Sequence, residues 1–151
     1  MRCPVCNHED TRVVDSRPTG DGFGIRRRRE CEKCGYRFST TEEVELLDLR
    51  IVKRDGRSEP YSRDKLEVGL RKALEKRPYT TADFQGLVGR IERDVQRRRQ
   101  EEMTSRELGE IVMTELKDFD DVAFIRFASV YRSFTDAGDF REELAKLGGA
   151  G

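Results

Sequence analysis

Two Cys-x-x-Cys pairs, Cys3-Pro4-Val5-Cys6 and Cys31-Glu32-Lys33-Cys34, constrain this chain more than any other feature. Within each pair the short loop brings both sulfurs back to one point, so two pairs can converge tetrahedrally on a single Zn²⁺. The 24 residues between Cys6 and Cys31 exceed the usual separation of roughly 15 to 20. The intervening segment must therefore be a hairpin long enough to return. Two disulfides are the alternative, but the tight pairing and the lack of a signal peptide favour a metal. Four protein thiolates fill the coordination sphere of one zinc per chain and leave no position for an activated water. The expected metal is structural.

All four cysteines precede position 35 in a chain of 151 residues, which divides it into a metal-stapled module and a larger cysteine-free one. The boundaries read as 1–45 for the first domain, 46–50 for a linker, 51–140 for the second domain, and 141–151 for a helix end and disordered tail. Charged residues make up 40%, and no apolar run approaches the roughly 20 residues that span a bilayer. A soluble, cytoplasmic protein with no membrane partner is expected. Formal net charge is zero, yet the charge is unevenly spread. From Arg12 to Arg37 eight basic residues face four acidic ones.

Thr11 to Ser16 reads as a strand, Pro18 to Gly24, with Asp21 inside it, as a glycine-rich turn, and Ile25 to Glu30 as the returning strand. Alternation across that strand puts Arg26 and Arg28 on one face and Arg27 and Arg29 on the other. One pair can face a phosphate backbone or groove. The other must be neutralised, with Asp15 or Glu42 as candidates, or left in solvent. A run of arginines is ordinarily a solvated face. Clamped onto a rigid hairpin, the same guanidinium forks suit bidentate contacts to phosphate or guanine. Gly35-Tyr36-Arg37-Phe38 adds another arginine beside two rings, with Phe38 expected beneath the knuckle.

Ser39 to Leu49 is a candidate linker or short strand. Ile51-Val52 running into Asp55-Gly56, with Glu59-Pro60-Tyr61 closing the return, is a hairpin signal. Ser62 caps a helix carrying Leu66, Leu70, Ala73 and Leu74 that Pro78 stops. Thr80 or Thr81 caps a second, with Phe84, Leu87, Val88, Ile91 and Val95 on its stripe. Thr104 with Glu107 makes a capping box for a third, carrying Leu108, Ile111, Val112 and Leu116. A fourth begins at Asp120 or Asp121, and Val122 to Phe134 is apolar enough to be the central helix. Asp139 to Leu147 forms a fifth, before a frayed tail from Gly148 to Gly151. The fold class is α+β: a small N-terminal β ribbon, then a mostly helical domain that opens with a β-hairpin.

No catalytic constellation stands out. The single histidine, His8, lies inside the first knuckle, where the cysteines already fill the site. There is no GxxxxGK[ST] phosphate loop and no GxGxxG after a strand. An enzyme is not expected.

Cys3-Pro-x-Cys6, Asp15-Ser16-Arg17, the Ile25-to-Cys34 run and Arg37-Phe38, followed by Val52-Lys53-Arg54-Asp55-Gly56 and Arg126-to-Arg132, resemble the bacterial NrdR family of transcriptional repressors over nearly the whole chain. The resemblance implies a zinc-ribbon DNA-binding domain joined to an ATP-cone, a regulatory nucleotide-binding domain. It further implies repression of ribonucleotide reductase operons in response to ATP and dATP, through a homo-oligomer whose size depends on the nucleotide. Double-stranded operator DNA would be met by Arg17, Arg26, Arg27, Arg28, Arg29 and Arg37. The family's nucleotide contacts fall on Val52, Lys53, Arg54, Glu59, Lys65 and Tyr131. Physically, Lys53 and Arg54 at a strand end and Lys65 in the first turn of a helix could converge on a triphosphate without a P-loop. Tyr131 by chemistry alone reads as a core tyrosine with its hydroxyl at the edge.

The chain departs from the family where an aromatic residue follows Arg-Phe-Thr-Thr, since Thr41 stands there, and the packing of ribbon against cone is expected to differ. The main rival reading is a zinc-ribbon RNA-binding or ribosome-associated factor. A third is an enzyme or a detached regulatory subunit of a reductase.

Overall fold

The computed structural model describes residues 1–20, 22–46 and 48–148. Asp21 of the expected turn, Leu47 of the expected linker and the tail residues 149–151 lie outside the described residues. The chain forms two compact units, Met1–Glu45 and the remainder from Leu46 onward.

The first unit is a three-stranded antiparallel sheet of β1 (Thr11–Pro18), β2 (Gly24–Cys31) and β3 (Arg37–Glu43), with β2 in the middle. The two expected strands are present. The third extends into the segment read as linker or short strand, because Arg37 to Glu43 pairs with β2 from Glu30 back to Gly24. A bulge between Val13 and Asp15 bends β1 and resets its register, bringing Asp15 opposite Arg28. Among the described residues of this unit, Cys3 and Cys31 are the only side chains in the buried apolar set. Val13, Val14, Phe23 and Ile25 are all at least 37% exposed. A sheet with no apolar core needs a staple, and the sulfurs are where it sits.

The second unit carries β4 (Arg50–Val52), β5 (Ser58–Pro60), α1 (Arg63–Ala73), α2 (Thr81–Arg97), β6 (Glu102–Thr104), α3 (Ser105–Phe119), α4 (Asp121–Tyr131) and α5 (Ala137–Gly148). The expected hairpin forms, with the Lys53 N–H donating to the Arg57 carbonyl across Asp55-Gly56. It is two-thirds of a sheet: β6 pairs in parallel with β4, matching Ile51 to Met103. Three residues with one apolar side chain give no periodicity, and a parallel partner some fifty positions away leaves no local mark. Leu46 packs on the core and Leu49 is buried within it, while Arg50 belongs to β4. Leu46 and Leu49, expected within a linker, thus contribute to this unit's core. Likewise α5 runs across the expected boundary at position 140.

Each expected helix is present, and the first four carry an expected cap. Ser62 accepts from the Lys65 N–H, Thr80 and Asp83 form a reciprocal capping box, and Thr104 and Glu107 form another. The first helix ends at Ala73, ahead of Pro78, and Lys76 takes a left-handed φ of 60° before the proline. The core is built from Leu70, Leu74, Phe84, Leu87, Val88, Ile91, Met103, Val112 and Leu116, all at most 2% exposed. Burying each large aliphatic side chain contributes roughly 1.5–3 kcal/mol. The most apolar helix is not the most buried one: α4 hides Ala123, Phe124 and Ala128, whereas α2 and α3 each hide five residues, and Val130 is 81% exposed. The expectation that Val122–Phe134 is the central helix is corrected accordingly, and the helix stops at Tyr131.

Asp120 caps α4 by accepting from the Ala123 N–H at 2.8 Å and also accepts from Arg77 Nε at 2.9 Å. Burial acts against its charged form, but these hydrogen bonds prevail and hold its carboxyl below the usual 3.8. A carboxylate depressed by folding stabilises the native state above its unfolded pKa, and that stability is lost as pH falls through the folded value. Unfolding of the native chain followed from pH 6 down to pH 2 is therefore expected to show an acid-limb loss that Asp120→Asn reduces, the other depressed carboxyls keeping their share. A variant with the same acid limb as the parent would contradict the assignment.

Candidate functional site

The two knuckles repeat one backbone pattern. In the first, the Cys3 carbonyl accepts from the Asn7 N–H at 3.0 Å and the Cys3 N–H donates to the His8 carbonyl at 2.9 Å. In the second, the Cys31 carbonyl accepts from the Gly35 N–H at 3.0 Å and the Cys31 N–H donates to Tyr36 at 2.9 Å. The residue after each second cysteine must turn left-handed, and Asn7 (φ 58°) and Gly35 (φ 71°) are the residue types that do so at least cost. The folded loops aim four sulfurs at one point. Cys3–Cys34 and Cys6–Cys31 lie 3.6 Å apart, and all four Sγ atoms fall within 4.8 Å of one another. A tetrahedral zinc with bonds of about 2.3 Å has edges of about 3.8 Å, so the donor set fits the metal.

Backbone N–H groups of Lys33 and Cys34 point at Cys31 Sγ at 3.4 and 3.5 Å. The Cys34 N–H above all, with Lys33, lowers the Cys31 thiol to about 6. Cys3 is lowered by the equivalent contacts from Cys6 and Val5. Cys31 and Cys3 are thus favoured as thiolates, the form a metal binds, whereas at Cys34 the Tyr36 N–H is outweighed by burial and the neighbouring sulfurs, which push that thiol up to about 12. His8 enters through its carbonyl, and the metal-competent group among the described residues comprises the four cysteines alone.

Above the clasp, β2 sorts its arginines by face. Arg26 and Arg28, with Arg17 of β1 and Arg37 of β3, line one open hollow of about 420 Å³ with Asp15 and Ser39. Arg17 is shared with Asp15 at 3.0 Å and Arg37 with Glu30 at 2.6 Å, Glu30 also accepting from Arg12. Those two guanidinium groups hold the Glu30 carboxyl below its ordinary range. Arg26 and Arg28 have no ion pair among the described residues. On the other face Arg27 meets Glu42 at 3.1 Å and Ser16 at 3.4 Å, while Arg29 is half-buried with an unpaired Nε. Of the two candidate neutralisers, Glu42 takes the role and Asp15 turns to Arg17.

The second unit has a cavity of about 190 Å³ between β4, β5, α1, α3 and α4. Its polar end carries Lys53, Glu59 and Lys65, with Glu59 Oε1 at 3.2 Å from Lys53 Nζ and 3.0 Å from Lys65 Nζ. Lys65 first, then Lys53, holds the Glu59 carboxyl below its ordinary range. Ser62, the cap of α1, and Ser105, the first residue of α3, also line the cavity, so two helix N-termini open onto it. Both favour an anion. The apolar end is closed by Leu66, Leu108, Val112, Phe127 and Tyr131. The Tyr131 ring lies on the backbone of α3, in the space that a Cβ at Gly109 would need. Its hydroxyl donates to the Arg106 carbonyl, it stacks on Phe127 at 5.9 Å, and Arg54 donates to its carbonyl at 3.0 Å. Burial raises its hydroxyl pKa.

Two family models match the chain: one described as Transcriptional repressor NrdR-like, N-terminal domain, over residues 1–42, and one described as ATP cone domain, over residues 49–137. A transcriptional repressor NrdR from an Exiguobacterium species is 52% identical across 97% of this chain and 95% of its own length. Repressors of the same name from Halalkalibacterium halodurans and Carboxydothermus hydrogenoformans are each 49% identical over 97% of this chain and 96% of theirs. The chain belongs to the NrdR family of transcriptional repressors. Its first unit is a zinc ribbon with four cysteines positioned for one metal ion, and its second is an ATP-cone, a nucleotide-binding module. Its NrdR relatives are named for a regulatory role rather than a catalytic one, as expected of a chain that is not an enzyme.

Of the six cone residues that the NrdR resemblance points to, the structure brings Lys53, Glu59, Lys65 and Tyr131 to one cavity. Val52 is in β4 between its two strand partners, and Arg54 is not part of the lining but donates to the Tyr131 carbonyl. Sequence reasoning missed Ser62 and Ser105 as wall residues and Gly109 altogether. A glycine inside a helix costs roughly 1 kcal/mol against alanine, and that cost was the available signal. Thr41 lies in β3 opposite Arg26.

Chelation separates the two units. A strong chelator is expected to unfold the ribbon, which has no apolar core, and to leave the helices of the second unit intact. Amide NMR checks this: dispersion lost from residues 1–45 and kept from 51–148 is the predicted outcome, and a ribbon that stays folded without metal contradicts it.

Proposed function

We propose that this chain is a cytoplasmic, nucleotide-sensing repressor whose ribbon binds operator DNA of ribonucleotide reductase genes and whose cone binds ATP or dATP. Arg17, Arg26, Arg28 and Arg37 form the DNA face, and the observation that supports this is their convergence on one open hollow. Phosphate contacts supply most of the affinity, while one or two arginines read guanine edges in the major groove. Arg27 and Arg29 flank the face from behind, Arg27 being engaged by Glu42. Cys3, Cys6, Cys31 and Cys34 hold one zinc that does nothing to the DNA directly; it fixes the strand that carries the arginines.

In the cone, Lys53 and Lys65 take the phosphates, aided by the helix starts at Ser62 and Ser105. Tyr131 walls the apolar end, with Arg54 holding its backbone and Val52 and Glu59 flanking from the sheet. A ribbon this small makes few contacts, so tight binding requires several copies on repeated sites. Nucleotide-dependent oligomerisation then sets the number and spacing of ribbons, provided ATP and dATP favour different assemblies.

Arg26→Ala and Arg28→Ala, each still holding zinc, test the DNA face. Each is expected to weaken binding to promoter duplexes of reductase genes and to lower the salt slope by about one, whereas Arg27→Ala has a smaller effect. Unchanged affinity and slope in both would defeat the reading, and equal loss on structured RNA with no preference for duplex DNA would favour an RNA-binding factor.

A further inference from the structure

Glu59 stands where an anionic ligand would be held. Its Oε1 lies between two ammonium groups from different elements, Lys53 after β4 at 3.2 Å and Lys65 in the first turn of α1 at 3.0 Å. Among the residues lining the cavity these are the only two cations, and Glu59 is the only acid. The starts of α1 and α3 open onto the same space at Ser62 and Ser105. Such a cradle attracts anions, and in this structure its two cations are satisfied by the chain's own carboxylate.

The geometry points to Glu59 as a resident counter-anion: without ligand, its carboxylate takes the place between Lys53 and Lys65 that a phosphate group occupies when nucleotide binds. This rests on the nucleotide reading of the cavity and deepens it. To expel a carboxylate shared by two lysines, a ligand must offer more negative charge than the carboxylate does, spread over enough oxygens to engage both lysines and the helix starts. Polyphosphates meet that requirement. A single phosphate monoester, at about −1.5 to −2, exceeds the carboxylate only narrowly, so Glu59 tilts the cavity toward nucleoside triphosphates over monophosphates.

The exposure of the three side chains, 34% for Glu59, 42% for Lys53 and 66% for Lys65, sets the scale. Exposed ion pairs of this kind each correspond to a factor of roughly 1.4 to 5 in an equilibrium constant. Two of them released together correspond to roughly two- to thirtyfold. Removing the charge while keeping the shape should therefore strengthen anion binding by that factor.

The experiment is calorimetric titration of the metal-loaded full chain with inorganic tripolyphosphate, ATP and AMP, in the parent and in Glu59→Gln. Tripolyphosphate is expected to bind the variant roughly two- to thirtyfold more tightly than the parent, and the preference for ATP over AMP to shrink. Unchanged or weaker tripolyphosphate binding by the variant overturns the proposal, since a carboxylate that only contacts the nucleoside, or only props the strand, has no reason to oppose a bare polyphosphate. Ribbon arginines also attract polyphosphate, so Glu59→Gln combined with Lys65→Gln isolates the cone: the gain must vanish in the double variant, and its persistence likewise overturns the proposal. Glu59→Ser, expected to move in the same direction, covers the case in which the glutamine variant misfolds. If the parent binds no ATP, the nucleotide reading fails, and the tripolyphosphate comparison still decides the role of Glu59.

Discussion

The convergence of four sulfurs is the interaction on which the first unit of the protein depends. The sheet of β1, β2 and β3 buries almost nothing apolar besides Cys3 and Cys31, so hydrophobic burial cannot hold it. Main-chain pairing alone leaves a small sheet marginal in water. Two knuckles with the same hydrogen-bond pattern, one closed by Asn7 and the other by Gly35, bring the ends of the sheet to one point and convert a flexible basic segment into a fixed one. The orientation of Arg26 and Arg28 follows from that, because alternation along a strand has meaning only if the strand is held.

The second unit solves a different problem. Its core is ordinary helix packing, and the functional interest lies where that packing is left incomplete, between the strand ends and the starts of α1 and α3. A glycine in α3 lets the Tyr131 ring lie against the helix backbone, which walls one end of the cavity with aromatic surface. The same cavity is lined by two lysines and a carboxylate. Aromatic and aliphatic walls combined with cations and helix N-termini suit a ligand with a flat base and a charged tail.

Much of this was legible in the residues. Paired cysteines specify a clasp because their geometry is local, and the N-caps Ser62, Thr80 and Thr104 mark helix starts because capping is local too. The Arg26/Arg28 face followed from alternation alone. What escaped reading was non-local. Strand β6 exists only through its parallel pairing with β4, and Leu49 looks like linker until the core it enters is assembled. The wall residues Ser105 and Gly109 meet Lys53 only in three dimensions. The bulge at Val13–Asp15, which sets Asp15 opposite Arg28, is likewise encoded by no simple periodicity. Apolar composition misled at α4, whose Val130 faces solvent.

A nucleotide in the cone can govern DNA binding by the ribbon if it changes how many chains assemble. Light scattering of the metal-loaded chain, without nucleotide and then saturated with ATP or with dATP, measures this directly. The account predicts different masses for the ATP-loaded and dATP-loaded states. One mass in all three conditions would contradict it.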